Sequence, residues 1–99
     1  MNREELKLST GNPQALFNEI CHKIDDGKIR SWVYDEDSNI SHKGEQYSKH
    51  FFFKPAIDKN KGLLKFIFHS DGNEFAESRA FQLLERMLLQ HFSDEVEIL

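Results

Sequence analysis

Apolar residues recur with two spacings along these 99 residues, and each spacing predicts its own elements. Between residues 13 and 25, Leu16, Phe17, Ile20, Cys21 and Ile24 return every three or four positions, one stripe of a helix. Asn12-Pro13 opens that helix. An Asn side chain caps free N–H groups, and Pro is tolerated at the first helical position, where its missing N–H is not needed. Gly27 closes it at a position that favours left-handed backbone. Asp25 and Asp26 sit against the helix dipole, at a cost on the order of 0.3 kcal/mol. A longer stripe runs through Ala76, Ala80, Leu83, Leu84, Met87, Leu88 and His91, with Phe81 and Phe92 at its margin. Asp71 with Glu74 three residues later, or Asn73, supplies its N-cap.

Between the helices the spacing shortens to two. Tyr47, Lys49, Phe51 and Phe53 share one face of a strand, and Leu64, Phe66 and Phe68 share one face of the next. The turn residues Asp58–Lys61, followed by Gly62, join them as a hairpin. Setting both apolar faces on one side pairs Ile57 with Gly62, Phe53 with Phe66 and Phe51 with Phe68, and places His50 opposite His69. A one-residue slip would split the apolar sets. Pro55 cannot donate to a ladder, so its nitrogen is expected at an edge or facing outward. An earlier strand over residues 28–34 carries Ile29 and Val33 on one face and Arg30, Trp32 and Tyr34 on the other; periodicity leaves open which face is buried. Residues 35–45 read as a polar loop with a short extended piece at Ile40–His42. Residues 1–11, apart from Leu6 and Leu8, and residues 93–99 read as loosely ordered. In the latter, Val96 and Ile98 alternate with Glu95 and Glu97, as in a short edge strand or an acidic-apolar tail.

The predicted fold is α+β, one domain over residues 1–99. It is a two-layer sandwich of order α-β-β-β-α, with a three-stranded antiparallel meander and two helices on one face.

Composition narrows the setting. With 38% hydrophobic residues and nine Phe, the chain can bury a core and is not a disordered segment. Its single cysteine, Cys21, forms no internal disulfide and suits a reducing compartment. The opening Met-Asn-Arg-Glu-Glu-Leu lacks the apolar centre of a signal peptide, and no apolar run approaches a membrane-spanning length. These features predict a cytoplasmic protein without membrane association. The net charge of −4 is unevenly spread. Residues 28–68 hold 8 basic and 5 acidic side chains, and residues 69–99 hold 2 and 7. A basic sheet region therefore precedes an acidic helix and tail.

Candidate chemistry is sparse. Zinc favours His and Cys ligands, and His50 and His69, facing each other across the hairpin with His42 nearby, are the candidate metal pair. Cys21 and His22 point about 100° apart on a helix and do not chelate together. The Asp35-Glu36-Asp37 run in the long loop suits a cation or acid–base work. No serine has nucleophile-elbow context, no glycine-rich loop cradles phosphate, and no resident cofactor is predicted. Sheet aromatics interleaved with cations stack single-stranded bases. Trp32, Tyr34 and Phe52, with Arg30, Lys54 and Lys65, form such a set, though the acidic net charge opposes nucleic acid. An open sheet face carrying Phe52, Leu63 and Ile67 instead suits a protein partner or a second copy of the chain.

The stretch Asn-Pro-Gln-Ala-Leu-Phe-Asn-Glu-Ile-Cys-His-Lys-Ile-Asp-Asp-Gly-Lys-Ile-Arg-Ser-Trp at 12–32 resembles small uncharacterised bacterial proteins of about 100 residues. The resemblance covers the first third of the chain. It implies a bacterial source and no activity.

The function expected from the residues is a non-enzymatic protein-interaction module of the binding, inhibitor or immunity type. Its contact residues are Trp32, Tyr34, Phe52 and Ile67 on the sheet, with Glu95 and Glu97 in the acidic tail. The alternatives are a small metal-dependent enzyme using His50, His69 and the Asp35–Asp37 loop, and a single-strand nucleic-acid binder using the sheet aromatics.

Overall fold

Within the stretch 1–11, expected to be loosely held, residues 5–9 are a strand inside the sheet, and residues 1–3 lie outside the described residues. The computed structural model describes residues 4–99, and Glu5–Ser9 form β1. The other elements are α1 (Pro13–Asp25), β2 (Trp32–Tyr34), β3 (Ile40–His42), β4 (Phe51–Asp58), β5 (Leu63–Ser70), α2 (Glu74–Phe92) and β6 (Glu97–Ile98). The fold is α+β, with two helices and one six-stranded sheet in the order β2-β3-β4-β5-β1-β6, every pairing antiparallel. The predicted three-stranded meander is thus corrected. β2 to β5 run as consecutive neighbours, and β1 and β6 extend the sheet beyond β5.

Each added strand has a local cause. In β1, Leu6 and Leu8 alternate with Glu5, Lys7 and Ser9, and both leucines are fully buried opposite Phe66 and Leu64. The extended piece at Ile40–His42 is β3, with Ile40 fully buried. The tail is an edge strand, not a loose segment: Ile98 pairs with Leu8, and the Leu99 N–H donates to the Lys7 carbonyl at 3.0 Å. Strand 28–34 shortens to three residues. The N–H groups of Lys28 and Ile29 both donate to the Lys23 carbonyl, which holds 28–31 as a turn leaving α1.

The helices follow their capping signals. Asn12 accepts from the Ala15 N–H, Gly27 has φ +76, and Asn73 accepts from the Ala76 N–H. Asp71 instead accepts from the Asn73 N–H and so shapes the approach to α2.

The hairpin register is displaced by two residues from the expected one. Phe53 pairs with Phe68, Phe51 with Ser70, Ile57 with Leu64 and Asp58 with Leu63. An even slip leaves every side chain on its face, so hydrophobic alternation does not distinguish the two registers. The turn does. Gly62 has φ +63 and serves as the last residue of a 59–62 loop, not as a ladder partner of Ile57. β3 pairs with β4 only at Ile40–Phe53, so the half of β4 carrying Pro55 has a neighbour on one side only, as its missing donor requires.

Both helices cover the same face of the sheet. Phe17 of α1 meets Phe66 at 6.3 Å between ring centroids, and Phe81 of α2 meets Phe53 at 5.3 Å and Phe68 at 5.0 Å. The buried side chains form one cluster, in which Trp32, Phe53, Phe66, Phe92 and Leu84 are the large members. No helix among the described residues is long and apolar enough to cross a membrane.

Candidate interaction surface

Among the described residues, no element covers the second face of the sheet. Following the register across the strands, Val33, Ser41, Phe52 and His69 lie level on this face. Next come Lys54, Ile67 and Glu5, then Ala56, Lys65 and Lys7. Asp58, Leu63, Ser9 and Glu97 form the last level. Phe52 and Val33 are 37% and 36% exposed, whereas Phe51 and Phe53 on either side of Phe52 are buried. Alternation along β4 therefore puts an aromatic ring in solvent between two core rings. Phe52 stacks on His69, with centroids 4.8 Å apart and planes 8° apart. Lys7 is tied to Glu5 at 3.4 Å.

The sequence-predicted residues do not all meet here. Phe52 and Ile67 lie on the open face, and Glu97 lies at its margin. Trp32 is 2% exposed and faces the helices, edge-on to His42 at 5.2 Å. Tyr34, two residues on, shares that side and donates its hydroxyl to the Asp25 carboxylate at 2.8 Å. This bond gives Asp25 a role in the last turn of α1, and it raises the Tyr34 pKa. The proposed base-stacking set of Trp32, Tyr34 and Phe52 is thus divided between opposite faces, because Trp32 is the large side chain that fills the core under β2 and β3. Glu95 is exposed beyond α2, beside Asp94 and Glu19.

The register also separates the two histidines expected to face each other. His69 stands opposite Phe52. His50 lies before β4, and its Nδ1 donates to Asp71 Oδ2 at 2.7 Å, while the Asp71 N–H donates to the His50 carbonyl at 2.9 Å. The imidazole holds the exposed Asp71 carboxyl below the usual carboxylate range. His50, His69 and Asp71 line one shallow polar cleft of about 470 Å³ with Asp35, Ser41 and Ser48. No group of three or more His, Cys, Asp or Glu among the described residues is placed to hold a metal ion. Asp35 is occupied in the β2–β3 turn, where its Oδ1 accepts from the N–H groups of Asp37 and Asn39. Glu36 and Asp37 remain exposed. Cys21 is partly buried on α1, and burial raises its thiol pKa, which disfavours a reactive thiolate.

His42 is a structural histidine that spacing alone did not identify. Its ring lies between Trp32 and Tyr47, edge-on to both, and its Nδ1 accepts from the Gly44 N–H at 2.9 Å. Nδ1 is therefore unprotonated, and burial pulls the imidazolium below its ordinary value. Burial lowers His91 in the same direction, helped by the charge of Lys23. The unfolded chain thus takes up these protons before the folded one does. The contribution of both groups is full above the ordinary histidine value of about 6.5 and is lost as pH falls through the folded values. Urea midpoints at pH 7.5 and pH 5.5 are expected to show lower stability at the acid value. His42→Asn is expected to narrow that difference; an unchanged difference would remove His42 from the titration.

Comparison with protein-family models, with curated proteins and with solved structures finds no match for this chain.

Proposed function

We propose that this chain is a non-enzymatic protein-interaction module whose open sheet face docks a second copy of itself. The uncovered face, with Phe52 and Val33 exposed together at one end of it and Ile67 at the next level, carries the reading, since contiguous exposed apolar surface marks contact sites. The charges on the face favour a second copy over a partner of a single charge sign. Lys7, Lys54 and Lys65 are matched there by Glu5, Asp58 and Glu97. A two-fold axis running across the strands between the Glu5 and Lys7 levels sets Glu5 of one copy against Lys7 of the other. The same axis sets Ile67 against the aliphatic stem of Lys65. Such an isologous contact is self-complementary.

Size sets the strength. Only β4 and β5 are eight residues long, and the six strands together cover roughly 460 Å² per copy from standard spacings, below the roughly 800 Å² of a standard interface. Association is therefore weak and reversible, in the micromolar range, with Glu95 and Glu97 adding a salt-sensitive margin. Sedimentation velocity over a concentration series tests this. The parent chain is expected to dimerise, Phe52→Glu to remain monomeric at ten-fold higher concentration, and Glu95→Lys with Glu97→Lys to weaken the dimer and alter its salt dependence. A parent chain that stays monomeric at several hundred micromolar (about the weak limit of specific contacts) would reject self-docking. A dimer untouched by Phe52→Glu would reject this face.

A further inference from the structure

On the helix side, a cleft of about 290 Å³ opens between the turn leaving α1 and the C-terminal half of α2. Its floor is apolar: Ile29, Trp32 and Met87 are buried and Leu83 is half-buried. Its rim is made cationic by the exposed Lys28, Arg30 and Arg86, and the half-buried His42 and His91 also line it. Among the described residues no Asp or Glu lines it, in a chain with 17 carboxylate side chains and a net charge of −4. Lys28, Arg30 and Arg86 form no ion pair among the described residues.

The rim is also held in place. Arg30 Nε donates to the Gly27 carbonyl at 3.2 Å, which fixes the guanidinium and leaves its terminal donors free for a ligand. Lys23 Nζ donates to the carbonyl of the cleft-lining His91 at 3.1 Å and lies 4.4 Å over the Phe92 ring, tying α1 to α2. His42, with Nδ1 accepting from Gly44, retains Nε2–H as its donor.

We propose that this cleft binds a small organic anion: a phosphomonoester or carboxylate carried on a single aromatic ring. The two guanidinium groups match the paired oxygens of such a head group, which a Lys alone would engage only as a point charge. The apolar floor and indole edge accept the ring. The volume, at the lower limit of about 300 Å³ for small-molecule pockets, selects one ring over larger ligands. The site is independent of the sheet face, which lies on the other side of the sheet.

Trp32 is the only tryptophan, so its fluorescence and its indole N–H resonance report on this cleft. Phenyl phosphate, benzoate and inorganic phosphate are titrated into the intact chain. Phenyl phosphate or benzoate is expected to give a saturable change in Trp32 at an affinity about ten-fold or more above that of inorganic phosphate. Which of the two binds more tightly identifies the head group. Arg30→Gln with Arg86→Gln is expected to weaken binding by at least about ten-fold while leaving the urea midpoint unchanged, both side chains being exposed. Phe52→Glu is expected to bind like the parent. Three results would overturn the proposal: no saturable change at millimolar ligand, equal binding of phenyl phosphate and inorganic phosphate, or retention of full affinity in the double variant. Binding of a poly-glutamate peptide in place of every small anion would overturn it in favour of a macromolecular contact.

Discussion

Replacing Leu6 and Leu8 together by Ala is expected to abolish cooperative folding. Both side chains are fully buried, on a strand that lies between β5 and β6. Each truncation removes apolar burial and leaves a cavity, costing about 2–4 kcal/mol, so the pair costs roughly 6 kcal/mol. The two sites share the face opposite Phe66 and Leu64 and do not act independently. A domain of this size holds about 5–15 kcal/mol in total, so the loss consumes much or all of it. β6 would go with β1, its one neighbour in the sheet among the described residues. The measurement is a urea transition followed by circular dichroism. A midpoint equal to that of the parent would place residues 5–9 outside the cooperative unit.

The second large effect is expected at Gly62. Its φ of +63 is strained for any residue with a Cβ, and a Cβ there would meet the Thr10 carbonyl oxygen at 2.9 Å. The Thr10 N–H also donates to the Gly62 carbonyl at 2.9 Å, so the two backbones are locked together where β1 leaves the sheet. Gly62→Ala is expected to cost about 2–3 kcal/mol, the left-handed penalty plus the displacement of a backbone that cannot yield alone. Gly27→Ala separates these contributions. Gly27 has φ +76 but nothing within 4 Å of the added carbon, so it carries the backbone cost of about 1 kcal/mol without the clash. Equal losses at both positions would show that the contact with Thr10 is not tight.

The surface readings depend on the fold in the same way. The open face takes its character from Phe52, and the alternation around Phe52 was legible in the sequence. The anion cleft was not. Lys28 and Arg30 leave α1 on one side, and Arg86 and His91 come from α2 more than fifty residues later. No local spacing links them. The expected His50–His69 pairing failed because two registers differing by two residues bury the same side chains. Only the turn at Gly62 chooses between them.

By itself the sequence determined both helices, the Asn12 N-cap, the left-handed Gly27, the aromatic hairpin and the α+β class. Each of these rests on short-range physics: a 3.6-residue stripe, a cap three residues away, or a two-residue alternation over several aromatic positions. The tertiary structure alone decided the rest. β1 shows only two apolar residues in five and becomes a strand because β5 offers it an edge and the core accepts Leu6 and Leu8. β6 follows, since a two-residue strand exists only against a partner. The buried face of β2 was undecidable from alternation, with Val33 on one side and Trp32 on the other. Trp32 went inward because the space beside Phe51, Phe53 and His42 holds an indole. That choice left Val33 with Phe52 on the open face and gave the cationic cleft its apolar floor.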